Sequence, residues 1–441
     1  MGLFLDIKRC IARSRLYNNI TYVGLLFRFR KYKDKSRWVE IQRDALYKTL
    51  KYAQSHSLYY RNLVDGKITK ENVYDFFYEI PLLDKNIIRK QGNNIYANLV
   101  SDITHRANTG VSTGEPLSFP CIYSSTPWEN INQLYLYKAM NMKFNDLIVS
   151  IDGTRVPEKF QKKNIFWVKG PNFPYGRYSY STQYLTEKTV RYYIKSLNSL
   201  KPSFLRGYPS GIKMLCRLME VNLLGLDFTF KGVYLTSENF TQEDKQYISR
   251  VLNCPVYGQY GHTESSVFAV QRPDAIEYIC SPIYGITEIL DECGKQVKEN
   301  EIGEIVVTGF SHLGTPFIRY KTGDLAVYGG TTEFGEVVLK QLMGRSVDFV
   351  INKHNEKIFL VGFIFGGHIE AFNYIQSWQI IQNEIGTIDL LIVKAEGFIS
   401  DVERQLVDLF GDKQISINIE YVDHIEKTKS GKQKFLIQNI A

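Results

Sequence analysis

The chain has 441 residues, 44% of them hydrophobic and 23% charged, enough apolar material for roughly two or three cored domains, which excludes a lone small binding module and a globally disordered chain. Its 54 Lys and Arg against 46 Asp and Glu give a net charge of +8, but residues 1–51 alone hold 13 basic and four acidic side chains, so the remainder sums to −1. A basic groove over the whole molecule, the mark of most nucleic-acid binders, is excluded on that count.

At the start, Asp6, Lys8 and Arg9 interrupt any secretory apolar core, and Asp6 stands where myristoylation needs Ser or Thr. No run approaches the roughly 20 apolar residues of a membrane span, and these features together predict a cytoplasmic protein. Leu3, Leu5, Ile7, Ile11, Leu16 and residues 23–27, interleaved with Arg and Lys, predict a basic helical appendage over 1–51. Its fate is open between a solvated helix packed on the main domain, the commoner outcome for a charge run, and peripheral contact with an anionic inner membrane face.

The first 100 residues read as mostly helical, with Trp38, Ile41, Leu46 and Leu50 at helical spacing. From about 145, short apolar runs alternate with amphipathic stretches. Strands are predicted at 147–151, 165–168, 204–205, 232–235 and 256–257, and helices at 189–200, 210–222 and 241–252. That alternation predicts an α/β sheet with its ligands at the carboxyl ends of the strands. After 280 the pattern turns β-rich, at 287–290, 304–308, 337–340 and 349–352, and residues 345–441 carry ten basic and thirteen acidic side chains, a small acidic α+β unit. A boundary is predicted near Gly344-Arg345. The six cysteines show no CxxC and no zinc-ligand spacing with His, which predicts reduced thiols.

Residues 108–116, Asn-Thr-Gly-Val-Ser-Thr-Gly-Glu-Pro, gather small and hydroxyl residues of the kind that turn backbone N–H groups and hydroxyls onto phosphate oxygens. No GxxxxGK[ST] or GxGxxG occurs in the chain, which removes Walker-type and Rossmann nucleotide sites. The same stretch formally matches the GxSxG elbow of serine hydrolases, with Ser112 as nucleophile. An elbow needs an apolar strand before the serine and a helix after it, whereas His105-Arg106-Ala107-Asn108 precedes it and Pro116 and Pro120 come after. Three later segments matter through their order: Tyr260-Gly261-His262-Thr263-Glu264, Arg319-Tyr320-Lys321-Thr322-Gly323-Asp324 and Ser430-Gly431-Lys432. Each alone is as well explained by a turn or a solvated surface.

In this order and at these separations the four segments resemble the adenylate-forming superfamily of acyl-CoA synthetases and ligases. Ile80-Pro81-Leu82-Leu83-Asp84-Lys85, the Ser-Thr-Gly-Glu-Pro form at 112–116, Tyr208-Pro209-Ser210, Thr236-Ser237-Glu238 and Gly344-Arg345 make the likeness closest to the phenylacetate-CoA ligase branch. Within that branch it is similar to adenylating-enzyme homologues of capsular polysaccharide biosynthesis. The resemblance implies an α/β fold: a large multi-sheet N-terminal adenylation domain over 1–344 and a smaller mobile α+β C-terminal lid over 345–441. It implies that Thr109, Gly110, Ser112, Thr113 and Gly114 hold the ATP β- and γ-phosphates, and that Tyr260 stacks on adenine. Thr263 would meet the α-phosphate, Glu264 bind Mg²⁺, and Asp324 take the ribose hydroxyls with Arg345 nearby. Ser237, Glu238, Gly261 and His262 complete the nucleotide-binding set, and Lys432 acts as the catalytic lysine delivered by the lid.

Two positions depart from the family pattern: Val111 replaces a loop glycine and Val347 a hinge residue that is commonly acidic or lysine. The expected function is ATP- and Mg²⁺-dependent activation of a small-molecule carboxylate, followed by transfer to a thiol or amine acceptor, with CoA among the candidates and surface polysaccharide biosynthesis as the setting. The rival from another class is a non-catalytic scaffold of a polysaccharide assembly complex. The acyl pocket is expected within about 125–260, among aromatics such as Trp128, Tyr135, Tyr137, Phe173, Tyr175 and Tyr208, most of them core.

Overall fold

The computed structural model describes residues 34–440 except 64–65, 99–103, 110–116, 123–128, 130–131, 134–135, 138, 144, 171, 173–174, 312, 346–348, 361–370, 372–373, 396–397, 400 and 427–433. The basic stretch 1–33 therefore lies outside the described residues. The chain is mixed α/β and divides into two compact units, neither continuous in sequence. The first takes the described residues of Met1–Asn141 with Gln259–Gln271 and Glu277–Gln341; the second takes Met142–Gly258, Arg272–Ile276 and Leu342–Ala441.

The first unit opens with the helices Trp38–His56, Leu58–Leu63, Val73–Glu79 and Lys85–Gln91. The longest buries Trp38, Leu46, Thr49, Leu50 and Ala53, positions that recur at helical spacing and form one stripe. Residues 38–51, expected as the end of a basic appendage, are thus integral to this unit. Two contacts fix the helix and its approach: Lys35 Nζ donates to Glu336 Oε1 at 2.9 Å, and Gln42 Nε2 donates to the Gly285 carbonyl at 3.2 Å. The strands of this unit neighbour one another in the order Gly285–Leu290, Ile302–Gly309, Tyr320–Thr331, Val337–Arg345, Tyr278–Cys280, Phe268–Gln271. Gly285–Leu290 with Ile302–Gly309, Ile302–Gly309 with Tyr320–Thr331, and Tyr278–Cys280 with both its neighbours pair antiparallel, with a register shift between Glu304 and Val306.

The motif at 80–85 and the motif at 319–324 are physically one structure. Leu83 N donates to the Arg319 carbonyl at 2.9 Å and Lys321 N to the Leu83 carbonyl at 2.8 Å, so Leu83 bridges onto Tyr320 in parallel. Asp84 caps the helix Lys85–Gln91 by accepting from Ile87 N at 2.7 Å. Arg319, buried and with φ +50°, holds the junction. Its Nη1 reaches the carbonyls of Tyr78 (3.0 Å) and Ile80 (3.1 Å), and its Nη2 and Nε pair with the Glu288 carboxylate at 3.0 and 3.3 Å.

In the second unit the strands Gly232–Thr236, Phe204–Gly207, Ile148–Asp152 and Tyr178–Ser181 lie side by side in parallel, and Trp167–Lys169 adds an antiparallel edge. Every residue of Gly232–Thr236 is buried, as befits a parallel strand covered on both faces. The predicted helices are present as Val190–Leu200, Pro209–Val221 and Gln242–Leu252. The first buries Val190, Tyr193, Ile194 and Leu197, the i, i+3, i+4, i+7 pattern; the last begins at a Thr241/Asp244 capping box. Buried Lys245 on that helix donates to the carbonyls of Arg272 (2.6 Å) and Ala275 (3.0 Å), which ties the short stretch 272–276 to this unit.

The C-terminal stretch forms its own sheet, in the order Ser416–Tyr421, Thr387–Lys394, Ile375–Glu384, Leu436–Gln438. With the helix Asp401–Gly411 it encloses a core of Val350, Ile380, Leu390, Val402, Leu406 and Phe410 among others. Among the described residues Cys121, Cys216, Cys254 and Cys280 are buried free thiols and Cys293 is exposed. No helix of the described residues is long and apolar enough to cross a membrane.

Candidate active site

Three of the four sequence segments meet the described part of the first unit. The strands Thr104–Asn108 and Ser118–Ile122 pair antiparallel, with Asn108 opposite Ser118. Beyond that pair, Thr109 N donates to the Leu117 carbonyl at 2.9 Å and Leu117 N returns a bond to Thr109 Oγ1 at 2.9 Å. Thr109 and Leu117, which flank the segment 110–116, are thus joined to each other. Gly110, Ser112, Thr113 and Gly114, and with them Val111, lie outside the described residues. A strand does precede Ser112, contrary to the reading of residues 105–108. The next described element, however, is the strand Ser118–Ile122 paired antiparallel with the first, where an elbow has a helix, and this argues against the hydrolase.

The second segment is a turn after the strand Val256–Gly261. Ser265 N donates to the His262 carbonyl at 3.0 Å, and Ser265 adopts φ +48°. Gly285 and Gly309 let neighbouring backbone close on Ser266: a Cβ at Gly285 would stand 2.5 Å from the Ser266 carbonyl oxygen, and one at Gly309 would stand 2.6 Å from Ser266 Oγ. Ser266 Oγ in turn donates to the Glu264 carbonyl at 2.9 Å. The turn is clamped at its base, and Gly261 and Thr263 are left more open than the buried residues around them.

Glu264 is buried, and Tyr320 Oη donates to its Oε1 at 2.8 Å. His262 Nδ1 stands 3.2 Å from Oε2, an ion-pair distance at an angle that completes no hydrogen bond. Burial opposes the charge, but the His262 ring and the Tyr320 hydroxyl outweigh it and lower the Glu264 carboxyl to about 2. It is therefore an ionised carboxylate held in place by the His262 ring and the Tyr320 hydroxyl. Among the described residues no cluster of three or more His, Cys, Asp or Glu side chains is placed to hold a metal alone. Glu264 fits the role of a single protein ligand to Mg²⁺, an ion usually bound by one or two carboxylates together with substrate phosphates and water.

Tyr260 and Asp324 are brought together directly: Tyr260 Oη donates to Asp324 Oδ2 at 2.7 Å. Burial first, and the Asp324 charge second, push the Tyr260 phenol well above its ordinary value, so it remains a donor. Asp324 is set by its own backbone, whose N–H donates to Thr322 Oγ1 at 3.0 Å. Tyr320 and Asp324 sit on one strand, Tyr320–Thr331, and reach Glu264 and Tyr260 respectively.

Ser237 and Glu238 belong to the second unit. Ser237 has φ +72°, and Glu238 Oε2 accepts from Ser210 N at 3.1 Å, capping the helix Pro209–Val221. Tyr208, just before that helix, has Asp152 and Glu238 close enough to raise its phenol further after burial. Arg345 ends the strand Val337–Arg345, and nothing of its side chain is described; Lys432 and Val347 lie outside the described residues. Of the pocket aromatics, Tyr137 is core and Tyr175 is exposed, while Trp128, Tyr135 and Phe173 lie outside the described residues.

Sequence reasoning missed the partners. Tyr320 was inside a quoted motif without a role, and its value lies in a fold contact with Glu264. Glu129 was not singled out at all, though it is a buried acid beside the His262 turn.

The family model of the CapK C-terminal domain matches residues 351–439. Protein CapK of Staphylococcus aureus is 26% identical over 463 aligned residues, spanning 100% of this chain and 97% of its own. Among solved structures, 2-hydroxyisobutyryl-CoA ligase in the postadenylation state, in complex with R3-HIB-AMP, superposes with a TM-score of 0.68 at 17% identity, covering 90% of this chain and 88% of that one. The anthranilate CoA ligase AuaEII in complex with anthranoyl-AMP gives 0.53 at 15% identity, covering 82% and 74%. At these identities the structural likeness is one of fold. The chain accordingly has the fold of the adenylate-forming ligases, and its residues 351–439 are similar to the CapK C-terminal domain.

Proposed function

We propose that the protein activates a small-molecule carboxylate as an acyl adenylate with ATP and Mg²⁺, then passes the acyl group to a thiol or amine acceptor. The observation that carries this reading is the pairing of an ionised, buried Glu264 with the Tyr260–Asp324 contact on one unit. In the first half-reaction a substrate carboxylate oxygen attacks the α-phosphorus of ATP and pyrophosphate leaves. In the second, the acceptor attacks the acyl carbon and AMP leaves. Bound Mg²⁺ would neutralise the charge that develops on the phosphate oxygens. Glu264 would hold it, Thr263 would meet the α-phosphate, and Asp324 would fix the ribose. Thr109 stands at the base of the segment 110–116, which would hold the β- and γ-phosphates.

The ligands in the solved neighbours, an acyl adenylate in both the 2-hydroxyisobutyryl-CoA and the anthranilate CoA ligase, support adenylation, and CoA is bound in another structure of the former. The 112–116 motif supports the phenylacetate-CoA ligase branch, and the CapK relative supports a place in surface polysaccharide biosynthesis. We assign residues 345–441 as the lid and Lys432 as the lysine it delivers. ATP–pyrophosphate exchange over a broad panel of acids tests the whole. Lys432→Ala is expected to slow exchange by about 10²–10³, the cost typical of losing one donor to developing transition-state charge. Exchange at the wild-type rate in that variant would remove Lys432 from the site.

A further inference from the structure

His262, Gln133 and Glu129 form a polar cluster beside the Glu264 turn whose hydrogen-bonding capacity is not filled by the described residues. Glu129 accepts from Tyr284 Oη, and from Gln133 Nε2 at a long 3.5 Å; the Ser265 side chain also bonds to it. The His262 ring acts on it in turn and favours its charged form. Burial raises the Glu129 carboxyl above the ordinary carboxylate range, and the Tyr284 and Gln133 bonds oppose that only in part. Gln133 is 3% exposed, yet its Oε1 has no hydrogen-bond partner. The His262 side chain is 15% exposed, and neither of its ring nitrogens makes a hydrogen bond.

Buried polar atoms are nearly always paired, and each one left unpaired costs about 1–3 kcal/mol. With His262 Nδ1 turned to the Glu264 carboxylate, the functions left to pair are the Gln133 amide acceptor and His262 Nε2. A hydroxyl or amino group meets both, whereas a methylene would seal them off from water unpaired. His262 directly precedes Thr263 and Glu264, so a group lodged beside it lies next to the carboxylate assigned to the metal.

We propose that Gln133 and His262, backed by Glu129, form the subsite for a hydroxyl or amino substituent on the acyl substrate, so that the acid activated is a hydroxylated or aminated one in preference to its apolar counterpart. This rests on the adenylation reading and specifies the substrate class at the same site. A site built to bond a polar group discriminates steeply against the analogue lacking it, by about 10⁴ or more where the pairing is complete. One long-range partner such as the Gln133 amide is expected to supply about tenfold of that, the weight of a single net hydrogen bond.

The test is calorimetric binding to the full-length protein of four acyl sulfamoyl adenosines of matched size, lactyl, alanyl and seryl against propionyl, with ATP and Mg²⁺ measured in parallel. The expected result is at least tenfold tighter binding of one or more polar analogues than of the propionyl compound. That ratio should fall about tenfold in Gln133→Leu, and Glu129→Gln, which keeps the shape, should reduce it less. Equal binding of all four by the wild-type protein, with ATP bound, overturns the subsite and leaves adenylation standing. Failure of ATP and of every analogue to bind overturns the adenylation reading, and the subsite with it. Because the wild-type comparison decides by itself, a variant that does not fold leaves the inference open to refutation.

Discussion

At the scale of single residues, the candidate site contains a carboxylate kept ionised inside the protein. Glu264 titrates at about 2 in the folded chain against an ordinary 4.5. Its contribution to stability is full above 4.5 and is lost as the pH falls towards 2, because below that both folded and unfolded states bind the proton. The difference corresponds to about 3 kcal/mol. Tyr320→Phe removes one of the three groups that hold the charge, the others being the His262 ring and the Glu264 backbone N–H. Urea unfolding at stepped pH is expected to show a shallower acid loss in that variant, by about 1 kcal/mol. Superimposable pH dependences for variant and wild type would mean that the hydroxyl does not stabilise the carboxylate. The residue types at 260, 264 and 324 were legible from motif order. Their partners were not, since the Tyr320–Glu264 bond joins side chains far apart in sequence and depends on where a strand passes. Gln133 and Glu129 escaped for the same reason: a Gln and a Glu on a helical stretch read as surface until burial is known.

At the scale of elements, most of the alternation from 148 to 261 was readable because its helices carry buried stripes, one of them opened by a capping box, and strands such as Ile148–Asp152 and Gly232–Thr236 are short apolar runs, whereas Tyr178–Ser181, with alternate serines, was not. Nor was the strand Thr104–Asn108. His105 and Arg106 are poor strand signals taken alone, and the hairpin is fixed by its partner, with Arg106 reaching back to Ser118 Oγ at 2.9 Å and to the Ser118 carbonyl at 2.7 Å. The most consequential element-level contact is the Arg319 junction, where one guanidinium joins the end of the helix Val73–Glu79 to the strand that presents Tyr320 and Asp324. The side chains of Arg319 and Glu288 are 10% and 8% exposed, so Arg319→Met strands a buried carboxylate. A loss of about 3–5 kcal/mol is expected in urea unfolding, with partial recovery when Glu288→Met is added. A single variant as stable as wild type would show that the junction is held by packing alone.

At the scale of the whole molecule, the net charge and the sequence order carry different information. The +9 of residues 1–51 is only partly an appendage, since from Trp38 onward the chain is built into the first unit. The C-terminal stretch, by contrast, has a core drawn almost wholly from its own residues. A fragment of residues 345–441 is expected to unfold cooperatively in urea on its own, with well-dispersed amide signals in solution NMR. A non-cooperative transition would show that it depends on the preceding chain for its core.

The contrast bears on how the protein is made. Lys35, Gln42 and the carbonyls of Tyr78 and Ile80 leave the ribosome early, while their partners Glu336, Gly285 and Arg319 arrive only after most of the second unit's strands and helices have been synthesised. Until then the apolar stripe of Trp38, Leu46 and Leu50 has no native cover from those strands, and non-local pairing of this kind is slow to form. The first helices therefore wait for partners far along the chain, whereas the C-terminal stretch draws its core from its own residues as they are made.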